Sequence, residues 1–361
     1  MFNKDNTEWK DGGGSLILGQ PSALLDSINR KHKRLFELYK KQKEADWQED
    51  EIDLDQSRMD FLSCPPEVYN AMVENLAYQW EADSYAVNSY SFLLAPLVTD
   101  SDFRLWINKA AEIEGLHALT YSEIVRLAVP DTTKVFQMAM ESDHVTSRMA
   151  TVDKLLSDLK QFSLRYALEE IENNQKLYNK AFLGLLTFYC LERMQFMASF
   201  AHTFAIVDSG WFQGVGKLVQ KIMQDEYFYH CKAMQYALKH EMTQHRGMVA
   251  YMEERETIEE IVNEVVTKEK SWNSYIFSKY NLPNTSEKLN NQWVEWNAQE
   301  VYDLCMLELP FKRQTQSPMK FMDNWLDLDK FQNANQEGDN NNYSLNSMAF
   351  DIPEGYVFDV Y

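Results

Sequence analysis

Between Pro130 and Pro283 the chain carries no proline, and between Pro21 and Gly184 it carries a single glycine, Gly115. Turns in sheet-rich proteins lean heavily on these two residues, so 12 Gly and 9 Pro in 361 residues are too few breakers for a many-stranded fold. The expected class is all-α. With 45% hydrophobic residues the chain can bury a large core, as one big domain or two ordinary ones.

Helical periodicity predicts helices over 22–45, 66–94, 101–128, 132–159, 161–204, 210–244, 257–279 and 286–307, with a break inside 161–204. Residues 1–20, which include Gly12, Gly13 and Gly14 and few apolar anchors, read as a flexible N-terminus. Residues 21–310 form the helical domain, and 311–361 a C-terminal extension. Within that extension 333–342 holds no residue able to anchor a core, which predicts a disordered tail. The tail nevertheless ends in Tyr343, Phe350, Tyr356, Val357, Phe358 and Tyr361, an apolar set that a solvated terminus keeps only for a partner protein.

A formal charge of −20 argues against a nucleic-acid partner, because phosphate binding needs a cationic surface. The one basic run, Arg30 to Arg34, has Asp26, Glu37 and Glu44 around it and reads as a solvated helix face. No apolar run reaches the roughly 18 residues that span a bilayer, since even 181–206 is interrupted by Glu192, Arg193, Gln195 and His202. That stretch reads as a buried core helix, and no membrane association is expected. Cys64, Cys190, Cys231 and Cys305 are widely spaced, and no secretory signal precedes them, which fits a cytoplasmic protein.

Two short segments carry the chemistry. Glu114 precedes His117 by three positions and Tyr121 follows His117 by four, so on a helix all three share one face. Glu226 precedes His230 by four positions in the second segment. Asp83 and Glu192 lie in apolar helical stretches, where an unpaired carboxylate is costly to bury. Four carboxylates and two imidazoles are neutralised by two divalent cations, and the order acid, acid-x-x-His, acid, acid then His is that of ferritin-like helical bundles with a central dimetal carboxylate site. Such oxygen-rich ligation suits hard, redox-active ions that react with O2; two Fe ions are the first choice, with Mn as the alternative.

On these residues the chain resembles the small, radical-generating subunit of class I ribonucleotide reductase, from about Gly19 to the end. Further motifs carry the resemblance: Gly19-Gln20-Pro21, Trp47 within Ala45-Asp46-Trp47-Gln48-Glu49, Tyr78-Gln79 ahead of Asp83, Leu309-Pro310-Phe311 and Asn324-Trp325-Leu326. The resemblance implies metal ligation by Asp83, Glu114, His117, Glu192, Glu226 and His230. It makes Tyr121 the radical tyrosine, Phe196, Phe200 and Ile222 its apolar pocket, and Trp47, Asp225 and His117 a relay to the metals. Tyr343 then stands where a tail tyrosine passes the radical to the large subunit, and a homodimer is expected.

Two departures stand out. The second motif is Glu-x-x-His in the family, whereas Tyr227, Phe228 and Tyr229 separate Glu226 from His230 here; a π-bulge can absorb the extra residue. Gln224 also occupies a position that is often basic in relatives. The implied function is the small subunit of ribonucleoside-diphosphate reductase, whose dimetal centre activates O2 to generate a tyrosyl radical. The chain itself has no Gly-rich phosphate loop, so nucleotide chemistry falls to the large subunit. The competing readings are a dimetal oxygenase or desaturase, which needs a substrate cavity beside the metals, and a ferritin-like metal-binding protein, which leaves Trp47, Asp225 and the tail without a task.

Overall fold

The computed structural model describes residues 3–7, 14–20 and 24–327. Among these the chain is all-α, with one isolated antiparallel bridge between Ile17 and Val98. In chain order the first helices are α1 (Lys33–Glu44), α2 (Asp55–Ser63) and α3 (Pro66–Ser89), followed by α4 (Ser101–Ala128), α5 (Thr132–Glu141) and α6 (Asp143–Ala167). Next come α7 (Gln175–Cys190), α8 (Met197–Val207), α9 (Gln213–Asp225) and α10 (Cys231–Glu241), then α11 (His245–Glu253), α12 (Arg255–Lys279), α13 (Glu287–Leu304) and α14 (Lys320–Leu326). Three π-helical turns join neighbours without breaking the rod: Tyr90–Leu94 extends α3, Leu191–Phe196 links α7 to α8, and Glu226–His230 links α9 to α10.

Local chemistry sets the helix starts. Asp100 caps α4 by accepting from the Asp102 and Phe103 amides, each at 2.9 Å, and Asn174 caps α7 through the Leu177 amide at 3.0 Å. Pro66 occupies the first turn of α3, where its missing N–H costs nothing. Several boundaries differ from the periodicity. The stretch expected as helix from residue 22 becomes helical only at Lys33, because the Asp26 carboxylate accepts from the Ile28 and Asn29 amides and holds a turn there instead. Ser142 splits the expected 132–159 helix by capping α6. Helices α2, α11 and α14 are too short to declare themselves by periodicity.

The basic run is a solvated helix face only at Lys33 and Arg34, which are exposed on the first turn of α1. Arg30 pairs with Asp102 at 2.9 Å, and His32 is buried with its Nδ1 3.0 Å from the Tyr236 hydroxyl. The expected looseness of the N-terminus also fails for residues 14–20. Leu16, Ile17 and Leu18 are buried, and their backbone is clamped by bonds from Leu18 N to Leu97 O (2.8 Å), Thr99 N to Leu16 O (2.9 Å) and Leu16 N to the Glu241 carboxylate (2.6 Å).

Four helical stretches enclose the centre: α3 against α4 and α8, α8 against α9, and the two later π-turns against each other. The entry to α9 is tightly specified. Phe212 sits at φ 56°, a left-handed conformation unfavourable for a bulky residue, and is held there by its amide donating to Asp60 at 2.8 Å and by ring contact with Phe61 at 4.2 Å. No helix of the described residues is long and apolar enough to cross a membrane.

Glu241 ties the N-terminal segment to the bundle, accepting from Leu16 N and from the Tyr178 hydroxyl. Burial pushes its carboxyl up to about 7. The folded state therefore holds its proton more tightly than the unfolded chain, and ionisation destabilises the fold as pH climbs from the unfolded value of 4.5 through 7. Between those limits the metal-free wild-type protein should lose stability relative to metal-free Glu241→Gln by up to about 3 kcal/mol. Paired urea denaturation series across this pH range check it, and a pH-independent difference would refute it.

Candidate metal centre

Asp83 from α3, Glu114 and His117 from α4, Glu192 from the second π-turn, and Glu226 and His230 from the third converge in the middle of the bundle, all with no exposed surface. They form two overlapping groups. Ligand atoms of Asp83, Glu114, His117 and Glu226 lie within 4.8 Å of one another, and so do those of Glu114, Glu192, Glu226 and His230. Glu114 and Glu226 belong to both, as bridging carboxylates between two ions would. Tyr121 shares the α4 face with Glu114 and His117, as the spacing predicts, and is fully buried.

The donor set fits two cations and little else. His117 Nδ1 lies 2.8 Å from Glu226 Oε1, and His230 Nδ1 lies 2.8 Å from Glu226 Oε2 and 3.0 Å from Glu114 Oε1. Both Asp83 oxygens, one oxygen each of Glu114 and Glu192, both of Glu226 and the His117 Nδ1 nonetheless have no hydrogen bond of good geometry. So many bare oxygens in a dry interior are expensive unless a positive charge sits among them. Burial, with Glu114 next, drives the Asp83 carboxyl well above its usual range, and burial with Glu226 does the same to Glu192. Burial opposes charge on Glu226 too, but the flanking His230 and His117 rings win and hold it low. His230, disfavoured by burial, is lifted by Glu226 and Glu114 to about 9. Protons thus stand in for cations, and ions binding here would displace them.

Both imidazoles are oriented from behind. Asp225 Oδ2 lies 3.2 Å from His117 Nε2 and also accepts from the Trp47 indole at 2.8 Å, while the Trp47 ring stacks on His117 at 6.0 Å and 18°. A hydrogen on Nε2 leaves Nδ1 free to ligate. Behind His230 stands Gln42, its amide nitrogen 2.7 Å from Nε2 and its carbonyl without a partner. Turning that amide over presents the carbonyl to an Nε2–H, the arrangement that both the protonated ring and a metal-bound ring require.

Sequence reasoning missed two residues. Gln42 is the polar member of the buried face Leu35, Leu38, Gln42 of α1, and that interruption was the available signal. Tyr90 donates its hydroxyl to Glu192 Oε1 at 2.7 Å, and its offset of seven from Asp83, two helical turns on the same face, was another. Phe196, Phe200 and Ile222 are all fully buried, with the two Phe rings stacked at 6.1 Å. Gln224 leaves its amide nitrogen unbonded beside Asp225. Tyr343 lies outside the described residues.

The sequence matches the family of ribonucleotide reductase small chains over residues 26–318. The chain belongs to that family. Among its relatives is a ribonucleoside-diphosphate reductase subunit beta of Buchnera aphidicola, 24% identical over 97% of this chain and 96% of the relative. The bundle superimposes on a ribonucleotide reductase R2 subunit from Clostridium botulinum with a TM-score of 0.75, at 16% identity, covering 91% of this chain and 98% of the other. A dimanganese(II) protein from Streptococcus sanguinis has the same fold, with a TM-score of 0.65 at 12% identity over 84% and 99% of the two chains. The fold is thus the expected ferritin-like bundle, and the ribonucleotide reductase small chain is part of an oxidoreductase with a dimetal carboxylate site.

Because Glu114 belongs to both groups of ligand atoms, Glu114→Ala should bind fewer than two ions per chain by elemental analysis after anaerobic metal loading. Two ions retained would remove Glu114 from the site.

Proposed function

We propose that this small chain holds two ions, iron first and manganese second, on Asp83, Glu114, His117, Glu192, Glu226 and His230, and stores a radical on Tyr121. When bound and reduced, the pair supplies the oxidising power of O2 for removing one electron from a phenol. The observation that carries the reading is the coincidence of two overlapping ligand groups with Tyr121 on the same helix face and the Trp47–Asp225–His117 chain behind them. A ligand set of four carboxylates and two imidazoles favours iron or manganese over softer ions, and a structural neighbour is described as dimanganese(II).

Tyr121 suits storage. Its hydroxyl makes no hydrogen bond and its ring no contact with solvent, and burial, then Asp83, Glu226 and Glu114, keep the phenol protonated far above its ordinary range. Phe196, Phe200 and Ile222, all fully buried, are the residues this reading assigns to the apolar pocket that keeps water and reductants from the phenol. Asp225 does two things with one oxygen: it fixes the His117 tautomer and stands ready to take the indole proton of Trp47 as an electron moves. From Trp47 the radical equivalent passes to Tyr343 and on to the large, catalytic subunit, where ribonucleoside diphosphates are reduced.

The oxygenase reading asks for a substrate cavity at the metals. A cavity of about 860 Å³ does exist, but Trp80, Tyr85, Phe92 and Phe136 line it on the outer side of α3, and none of the six candidate ligands reaches it. We assign the chain to a cytoplasmic homodimer; its four cysteines are free, as a reducing compartment would keep them.

Two experiments test this. Tyr121→Phe should keep two metal ions and lose the wild-type tyrosyl signal in electron paramagnetic resonance after aerobic iron loading; an unchanged signal would refute the assignment. For the tail, Tyr343→Phe should leave affinity for the large subunit intact and stop turnover, whereas deleting residues after Gly355 should weaken the complex without touching the metals. Full activity in the first or unchanged affinity in the second would rule out the respective role.

A further inference from the structure

Tyr90 is the one phenol bonded directly to a candidate ligand among the described residues, and the radical reading gives it no task. Its hydroxyl donates to Glu192 Oε1 at 2.7 Å, while Glu192 Oε2 has no hydrogen-bond partner. The ring cannot easily swing away. It stacks on Phe188 at 4.3 Å and 24°, meets Trp106 edge-on at 6.0 Å and 78°, lies 6.1 Å from the His230 ring, and is wholly buried. Both partners sit on π-turns, Tyr90 at the start of Tyr90–Leu94 and Glu192 within Leu191–Phe196, so their pairing depends on two local departures from α-helical geometry.

We propose that Tyr90 is a positioning residue that keeps Glu192 a one-oxygen ligand, leaving a coordination position open on the ion nearest His230. The proposal rests on the two-metal reading above. A carboxylate can chelate an ion with both oxygens or bind with one. Here Oε1 is engaged by a phenol locked in an aromatic cage, which ties up one of its lone pairs and fixes its direction, making Oε1 the weaker donor to an ion than the unengaged Oε2. Oε2 remains for the ion shared with Glu114, Glu226 and His230. An ion with an unfilled position can accept a small reactant such as O2, which a fully chelated ion cannot. These two of the buried tyrosines therefore divide the work: Tyr121 has an unengaged hydroxyl, and Tyr90 an engaged one.

The test uses manganese(II) alone, anaerobically, on the full chain, so that no turnover is involved. Crystal structures of the loaded wild type should have one Glu192 oxygen on the ion and the other on Tyr90; in Tyr90→Phe both oxygens should bind the ion. In solution, the manganese resonance spectrum of Tyr90→Phe should change for one of the two ions only. Tyr90→Phe should still bind two ions, so the change reports how Glu192 binds and not a lost ion. A chelating Glu192 in the wild type, an unchanged Glu192 in Tyr90→Phe, or a spectral change at both ions would each overturn the proposal while leaving the two-metal reading in place. A wild-type protein that binds fewer than two ions overturns that reading, and this one with it.

Discussion

Four carboxylates buried within reach of one another are the constraint from which the rest of this bundle follows. Each would be strongly destabilising alone, and like charges at such separations push one another toward protonation, as the raised positions of Asp83, Glu114 and Glu192 express. Elsewhere the fold handles the same difficulty internally: Arg148 reaches Glu269 with Nε at 2.8 Å and Nη2 at 2.5 Å, its guanidinium stacked 3.5 Å over the Tyr78 ring, so that buried pair tying α6 to α12 is neutral by itself. The central cluster has two imidazoles and no arginine or lysine. Its charge has to be balanced from outside the chain, and the hydrophobic helices around it hold the donors in register.

The three π-turns belong to the same argument. A π-turn weakens local hydrogen bonding and is tolerated where surrounding structure fixes it. Here Tyr90, Glu192, Glu226 and His230 all lie on such turns, whereas Glu114, His117 and Tyr121 use the regular α4. One helix thus offers a rigid three-residue face, and the others adjust to it. The four-residue spacing of Glu226 and His230 is absorbed in this way: both still point inward, with His230 Nδ1 2.8 Å from Glu226.

The fold class and the convergence of the six polar residues were legible because both depend on period. Long amphipathic stretches such as 101–128 coincide with α4 to the residue. What the pattern hid is what period does not encode. The Asp26 turn that delays α1, the Ser142 cap that divides the expected 132–159 helix, and the clamping of Leu16 to Leu18 by Glu241 are single side-chain decisions, each a polar group bonding backbone. Gln42 and Tyr90 were missed for a related reason: their partners are 188 and 102 residues away, and nothing local marks a polar group as the support of another.

The two histidines look symmetric in sequence and are not so in space, which bears on where a radical equivalent can leave. Behind His117 stands a carboxylate, Asp225, joined to an indole; behind His230 stands a neutral amide, Gln42. A tryptophan adjoins each ring, Trp47 stacked on His117 at 18° and Trp106 edge-on to His230 at 89°. Oxidising a buried indole in a dry interior is far easier when its proton has somewhere to go. Trp47 Nε1 already donates to Asp225, whereas Trp106 Nε1 has no acceptor at all. Of two aromatic neighbours at similar distance, only the one on the His117 side has an acceptor for its indole proton, so the relay proposed above would run on the side where a carboxylate stands behind the imidazole.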